Sequence, residues 1–152
     1  MALKKLIVGD RLPHFIMNDE NHVPVDISSF TGKYLILFFY PKDETPGCIK
    51  EACSFRDSYK DLEEAGAIVF GISGDNPDSH IRFKTKHKLP FSLLSDTGNE
   101  LRHLLGVPFD LFGLIPGRVT YIFDSEAYLI HVFKSQIAPE KHVKEMLRII
   151  GR

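Results

Sequence analysis

Two cysteines, Cys48 and Cys53, lie five positions apart in a chain of 152 residues that has no other thiol. In a reducing compartment a static disulfide is not expected, so a close pair points to redox chemistry or metal binding. A thiol reacts as its thiolate, and helix N-termini and nearby cations favour that form. Cys48 follows Thr45-Pro46-Gly47, which reads as a helix start: Thr is a good N-cap, and Pro is favoured at the first helical position. Cys48 therefore falls in the first turn, where unpaired backbone N–H groups and the helix dipole favour negative charge. Cys53 sits further along, where the dipole helps less. The asymmetry makes Cys48 the nucleophile and Cys53 its partner.

The spacing sets a second condition. Five residues of ideal helix give about 7.5 Å of rise and about 140° of rotation, so the Cα atoms stand about 8.6 Å apart. A disulfide normally needs less than about 7 Å. The helix must unwind locally before the two sulfurs can join, whereas a Cys-x-x-Cys pair can oxidise without unwinding. Two other readings compete. The cysteines are inert core residues, since free Cys is often buried, or they bind zinc. Against zinc, the spacing exceeds the usual two to four intervening residues. The seven histidines (His14, His22, His80, His87, His103, His131 and His142) are also scattered, and are expected as surface or packing residues. Glu51, one turn beyond Cys48, would oppose a thiolate if it pointed that way. It is expected to be solvated or paired with Arg56 or Lys50.

The elements that must position this pair alternate. The segment from Asp10 to Met17 reads as an irregular lead-in and a short strand, with Val23–Ile27 as its hairpin partner. Tyr34–Tyr40 is continuously apolar, as expected for a central strand covered on both faces. Pro41 ends it. The cysteine helix is expected from Thr45 to about Ala65, closed by Gly66. Then come a strand over Ala67–Ser73, a helix over Pro77–Lys88, a strand over Phe91–Leu94 and a helix over Gly98–Leu105. Gly106–Gly117 is a Pro/Gly-punctuated loop. Val119–Asp124 and Tyr128–Lys134 form a hairpin, and Pro139–Ile150 is the last helix, with Val143, Met146, Leu147 and Ile150 on one side. This order predicts an α/β fold with a mixed central sheet flanked by helices and an N-terminal hairpin extension, compatible with a thioredoxin-like core.

Composition narrows the function. The chain is 43% hydrophobic and 26% charged, ordinary for a globular protein, and its length suggests a single domain over residues 1–152. A net charge of −1 offers no footprint for nucleic acid or an anionic membrane. No apolar run approaches a membrane span. The N-terminus lacks a signal-peptide core. A cytoplasmic location is the default expectation, and a mature organelle protein without its transit peptide is the alternative.

Residues Pro41-Lys42-Asp43-Glu44-Thr45-Pro46-Gly47-Cys48 fit the pattern Pro-x-x-x-Thr-x-x-Cys, and Cys53 is followed by Ser54-Phe55-Arg56-Asp57. On these residues the chain resembles the peroxiredoxins, in the Cys-x₄-Cys subclass called bacterioferritin comigratory protein or peroxiredoxin Q. The likeness continues through Gly71-Ile72-Ser73-Gly74-Asp75, Leu89-Pro90-Phe91, Leu94-Ser95-Asp96 and Gly106-Val107-Pro108, while Asp110-Leu111-Phe112-Gly113 and Pro116-Gly117-Arg118 look most like the plant and cyanobacterial Q-type branch. The resemblance implies a thioredoxin-like fold and a thiol peroxidase that reduces hydrogen peroxide and organic hydroperoxides without metal, haem or flavin. It implies that Cys48 becomes a sulfenic acid and Cys53 resolves it as an intramolecular disulfide, recycled by a thioredoxin-like dithiol. It implies that Thr45 orients peroxide and thiolate, that Arg118 stabilises the thiolate and the developing oxygen charge, and that Pro41 shields the sulfur from water. A monomer is the implied state. Thr45 also has a plain reading as an N-cap accepting from the N–H of residue 47 or 48, Arg118 as a surface residue, and Pro41 as a strand terminator. One departure is Ile49, where the family often has Thr; it removes a hydroxyl and bears on how readily the helix unwinds. Val107–Leu114 is a candidate for lining the pocket or binding a reductant, or a loop packed on the core. Two other functions compete: a protein dithiol–disulfide oxidoreductase, which the absence of Cys-x-x-Cys disfavours, and a redox-sensing or metal-binding module without turnover.

Overall fold

The computed structural model describes residues 6–107, 109–110, 115–135 and 138–150. Nine strands run as β1 (Ile16–Asn18), β2 (Pro24–Asp26), β3 (Tyr34–Phe39), β4 (Ala67–Ser73), β5 (Ser92–Ser95), β6 (Phe109–Asp110), β7 (Ile115–Pro116), β8 (Val119–Phe123) and β9 (Leu129–Lys134) among the described residues. Five α-helices join them: α1 (Pro46–Asp57), α2 (Tyr59–Glu64), α3 (Pro77–His87), α4 (Glu100–Leu105) and α5 (Lys141–Ile150). Seven strands make one mixed sheet in the order β2-β1-β5-β4-β3-β8-β9. β3, β4 and β5 are parallel; β8 lies antiparallel to β3. β6 and β7 form a separate small hairpin inside the stretch expected to be loop.

β3 holds the middle because it is apolar on both faces. Leu35, Leu37 and Phe39 join one buried cluster with Leu101 and Leu105 of α4. The alternate residues Ile36 and Phe38, with Tyr40 beyond them, join the other, with Cys48, Ala52 and Phe55 of α1, Leu62 of α2, Phe83 of α3 and Val143, Met146 and Ile150 of α5. Alternation across a strand divides one run of apolar residues between two cores. The expected N-terminal hairpin is present, and it extends the sheet through one pairing, Asn18 with Ser95.

The main correction concerns the cysteine helix. It does not run to Ala65 but breaks at Ser58 (φ −105°, ψ 6°), whose N–H bonds back to Arg56 and Ser54 carbonyls. α2 then continues to Glu64, and Gly66 (φ +84°) turns the chain as expected. The helix expected from Gly98 begins with a 3₁₀ turn over Thr97–Asn99, and regular α-helix starts only at Glu100.

Candidate active site

β3 and β8 bring the site together. Their register pairs Phe39 with Val119, so Arg118, the residue just before β8, emerges beside Tyr40 at the C-terminal end of β3. The chain leaves β3 through Pro41, which is half-buried, and returns as α1. Ligand sites in α/β sheets favour the ends where parallel strands run out. The intervening loop is fastened. The Tyr40 hydroxyl donates to Asp43 Oδ1 at 2.6 Å, the Asp43 N–H donates to Asp75 Oδ2 at 2.8 Å, and Ser79 Oγ donates to Asp43 Oδ2 at 2.9 Å. His80 Nδ1 lies 2.7 Å from the same Oδ2. Asp43, Asp75 and His80 place three potential metal-ligand atoms within 4.8 Å of one another. Each of the three groups is already engaged in these hydrogen bonds, which makes the cluster a clamp on the loop.

Thr45 is the N-cap of α1, but its side chain caps nothing. Its Oγ1 instead donates to the Lys42 carbonyl at 2.8 Å. This corrects the expected bond from the N–H of residue 47 or 48. The Oγ1 lone pairs stay available to accept. Cys48 is 1% exposed in the first turn of α1, where the leading N–H groups have no intrahelical partner. Arg118 Nη1 lies 3.6 Å from its Sγ. The reading of Arg118 as a surface residue is therefore overturned: it is buried, and Gly47 makes room for it. A Cβ on Gly47 would stand 3.0 Å from Arg118 Nη2.

Cys53 lies on the same helix, half-buried, and both thiols are free. Burial is the main cause pushing the Cys53 thiol up from its ordinary value; the Arg56 charge opposes and Asp57 adds. One unbroken helix thus holds the two cysteines at the spacing that forbids a disulfide without unwinding.

Three residues of the site are not where sequence reasoning put them, or were missed. Glu51 is neither solvated nor paired with Arg56 or Lys50. It is fully buried, and Oε1 accepts from Arg118 Nη1 at 2.6 Å. Three residues of helix return Glu51 to the face of Cys48, while Lys50 pairs with Glu140 and Arg56 with Asp57 on the outside. Burial raises the Glu51 carboxyl to about 8 although the Arg118 charge and hydrogen bond pull it down. For His142, the expectation of a surface or packing residue holds only in its second half and misses the contact with Glu51. The ring is buried, with Nδ1 2.7 Å from Thr120 Oγ1 and 3.4 Å from Glu51 Oε2, and burial lowers it to about 4. Its signal in the sequence was a polar ring beside Val143 on the apolar side of α5. Arg102, the third, is buried, donates to the Gly117 and Tyr40 carbonyls at 2.7 and 3.3 Å, and supplies a second positive charge to the field at Cys48. Of the Val107–Leu114 segment, Val107 is buried in the core, and residues 108 and 111–114 lie outside the described residues.

The arrangement can hold a sulfur anion: a helix N-terminus below it, a guanidinium against it, water largely excluded. Comparison with known proteins agrees. The AhpC/TSA family model matches residues 8–132. Peroxiredoxin Q of Sedum lineare, named as chloroplastic, is 50% identical over 96% of this chain and 78% of its own length. The chloroplastic peroxiredoxin Q of Arabidopsis thaliana is 49% identical over 99% of this chain and 69% of its own. Among solved structures, peroxidoxin BcpB of Mycobacterium tuberculosis superimposes with a TM-score of 0.87 at 30% identity, covering 95% of this chain and 96% of that one. A cysteine-to-serine mutant of PrxQ from Xylella fastidiosa gives 0.87 at 27% identity, with 96% of each chain covered. The shared architecture is the expected thioredoxin-like one.

Proposed function

Because the chain belongs to the AhpC/TSA family of peroxiredoxins and is a thiol-dependent peroxidase, we propose that Cys48 attacks the hydroperoxide and Cys53 resolves the product. The observation that carries this is the Arg118 guanidinium 3.6 Å from a buried thiol at a helix N-terminus. The Cys48 thiolate attacks the terminal peroxide oxygen. The S–O bond forms as the O–O bond breaks, sulfur gives up two electrons, and RO⁻ leaves to take a proton as ROH. The same guanidinium, planar and permanently charged, faces the oxygens on which charge develops. Thr45 Oγ1, its own hydrogen given to Lys42 O, accepts from the peroxide O–H. Pro41 shields the sulfur.

Cys53 then condenses with the sulfenic acid, forming the disulfide and releasing water. This requires the first turns of α1 to unwind. Exchange with a thioredoxin-like dithiol restores both thiols. Resolution within one chain needs no second subunit, so the working unit is a monomer. Among the described residues no helix is long and apolar enough to cross a membrane. The reaction suits a reducing compartment, either the cytoplasm or, as for the named relatives, the chloroplast.

The test is peroxide treatment followed by mass spectrometry of the peptide holding both cysteines. We expect loss of two hydrogens in the wild type. Cys48→Ser should abolish peroxide consumption. Cys53→Ser should stop at the sulfenic acid and lose thioredoxin-linked turnover. Full activity of Cys48→Ser would overturn the mechanism.

A further inference from the structure

Glu51 has one oxygen with nothing bound to it. Oε1 is taken by Arg118, but Oε2 is buried without a hydrogen-bond partner. Close to it, at 3.4 Å, stands His142 Nδ1, and both side chains are fully enclosed. The other ring nitrogen limits what Nδ1 can offer. His142 Nε2 is 2.9 Å from the Ser135 carbonyl, which can only accept, so Nε2 carries the hydrogen. In a neutral imidazole Nδ1 is then a bare acceptor, served by the Thr120 hydroxyl at 2.7 Å. With Glu51 ionised, a buried carboxylate oxygen would face that acceptor nitrogen at 3.4 Å with no donor between them. That is the costliest kind of unsatisfied group. A proton on Oε2 removes the conflict by making that oxygen a donor, which shares the single Nδ1 lone pair with the Thr120 hydroxyl.

Charge balance at the sulfur agrees. The groups facing Glu51 are Arg118 at the entry to β8, His142 from α5 and Cys48 from its own helix; Arg102 of α4 acts on Cys48. An ionised Glu51 would neutralise Arg118 and oppose a thiolate one turn away. A protonated one leaves a full positive charge against Cys48. We propose that Glu51 and His142 hold one proton between them in the reduced site, freeing the charge of Arg118 for the Cys48 thiolate, and that this proton leaves when the first turns of α1 unwind.

In this proposal, whose unwinding step rests on the function proposed above, His142 is a positioning residue. Burial raises Glu51 and lowers His142, so the proton resides on the carboxyl. Unwinding carries Glu51 into water, where a carboxyl of ordinary acidity gives its proton to solvent. Opening must therefore become easier as pH rises.

Two measurements on the reduced protein, without peroxide, test this. Infrared difference spectra at pH 6 should show a protonated carboxyl band that is absent in Glu51→Gln and shifted in His142→Asn. Hydrogen exchange of the α1 amides, corrected for intrinsic chemistry, should show the opening constant rising on the order of 50-fold from pH 6 to 8 by proton linkage. Glu51→Gln should flatten that rise. Should that variant not fold, the wild-type pH dependence and the His142→Asn shift decide. No such band at pH 6, or an opening constant independent of pH, overturns the proposal. Because neither reading uses turnover, failure of the peroxidase mechanism would leave them standing, and their failure would leave the mechanism standing.

Discussion

Arg118 Nη1 serves two neighbours at once, Cys48 Sγ at 3.6 Å and Glu51 Oε1 at 2.6 Å, while its Nε is buried without a partner. A group so placed tolerates little displacement. Arg118→Lys keeps a charge but loses the planar fork; kcat/KM for peroxide should fall by about 10²-fold or more, the usual cost of a lost transition-state donor. Gly47→Ala tests position without touching charge. Its new methyl would meet Nη2 at 3.0 Å, so kcat/KM should drop several-fold while the thermal midpoint changes little. An unchanged rate would mean that the guanidinium can move freely. At this scale the sequence was legible where residue type and spacing speak together. Cys48 after Thr45-Pro46-Gly47 announced a helix N-terminus, and the family pattern pointed to Arg118. The partner of Glu51 was not legible, because it lies 67 residues away at the entry to a strand, and helix spacing says nothing about which strand a buried face meets. Thr45 misled for a local reason: the Lys42 carbonyl competes for its hydroxyl.

At the scale of elements, α1 has two halves with different anchors. Cys48 and Glu51 hold the first turns through β8 and α5. Phe55 holds the last, stacked on Phe38 of β3 with ring centroids 4.4 Å apart and an interplanar angle of 9°. Unwinding for the disulfide can thus spend the polar anchor and keep the aromatic one. Phe55→Ala should cost about 3–5 kcal/mol of stability, read from the denaturant midpoint. It should also let the oxidised protein lose helix beyond Cys53, seen as unprotected amides out to Asp57. If exchange stops at Cys53 in both proteins, Phe55 does not set the boundary. β3, β4 and α3 could be read within one or two residues, since each is marked by continuous apolarity or by Pro at its start. The break at Ser58 could not. The run from Pro46 to Ala65 has no Pro or Gly after Gly47, and the bend comes from how α1 and α2 seat Phe55 and Leu62 in one core.

For the whole molecule, the buried pair ties stability to pH. Glu51 in the folded protein sits at about 8 against an ordinary 4.5. Its contribution is complete below pH 4.5 and is lost as pH rises through 8. His142 sits at about 4 against an ordinary 6.5. Its contribution is present above pH 6.5 and is lost as pH falls toward 4. Between 4.5 and 6.5 the slopes cancel, because the unfolded chain carries one proton on His142 and the folded chain carries one on Glu51. From 6.5 to 8 only the Glu51 slope remains, so the pair's contribution should fall by about 2 kcal/mol. Urea denaturation of the reduced protein should give a plateau near pH 5.5 and a lower midpoint at pH 8. Glu51→Gln leaves His142 alone, so the curve should change shape: stability rising up to pH 6.5 and level from there to 8. An alkaline decline that persists in full in Glu51→Gln would assign it to other groups. A decline that vanishes would mean that the carboxyl that keeps Arg118 available to the sulfur also weakens the helix as pH rises, joining attack and resolution through one buried proton.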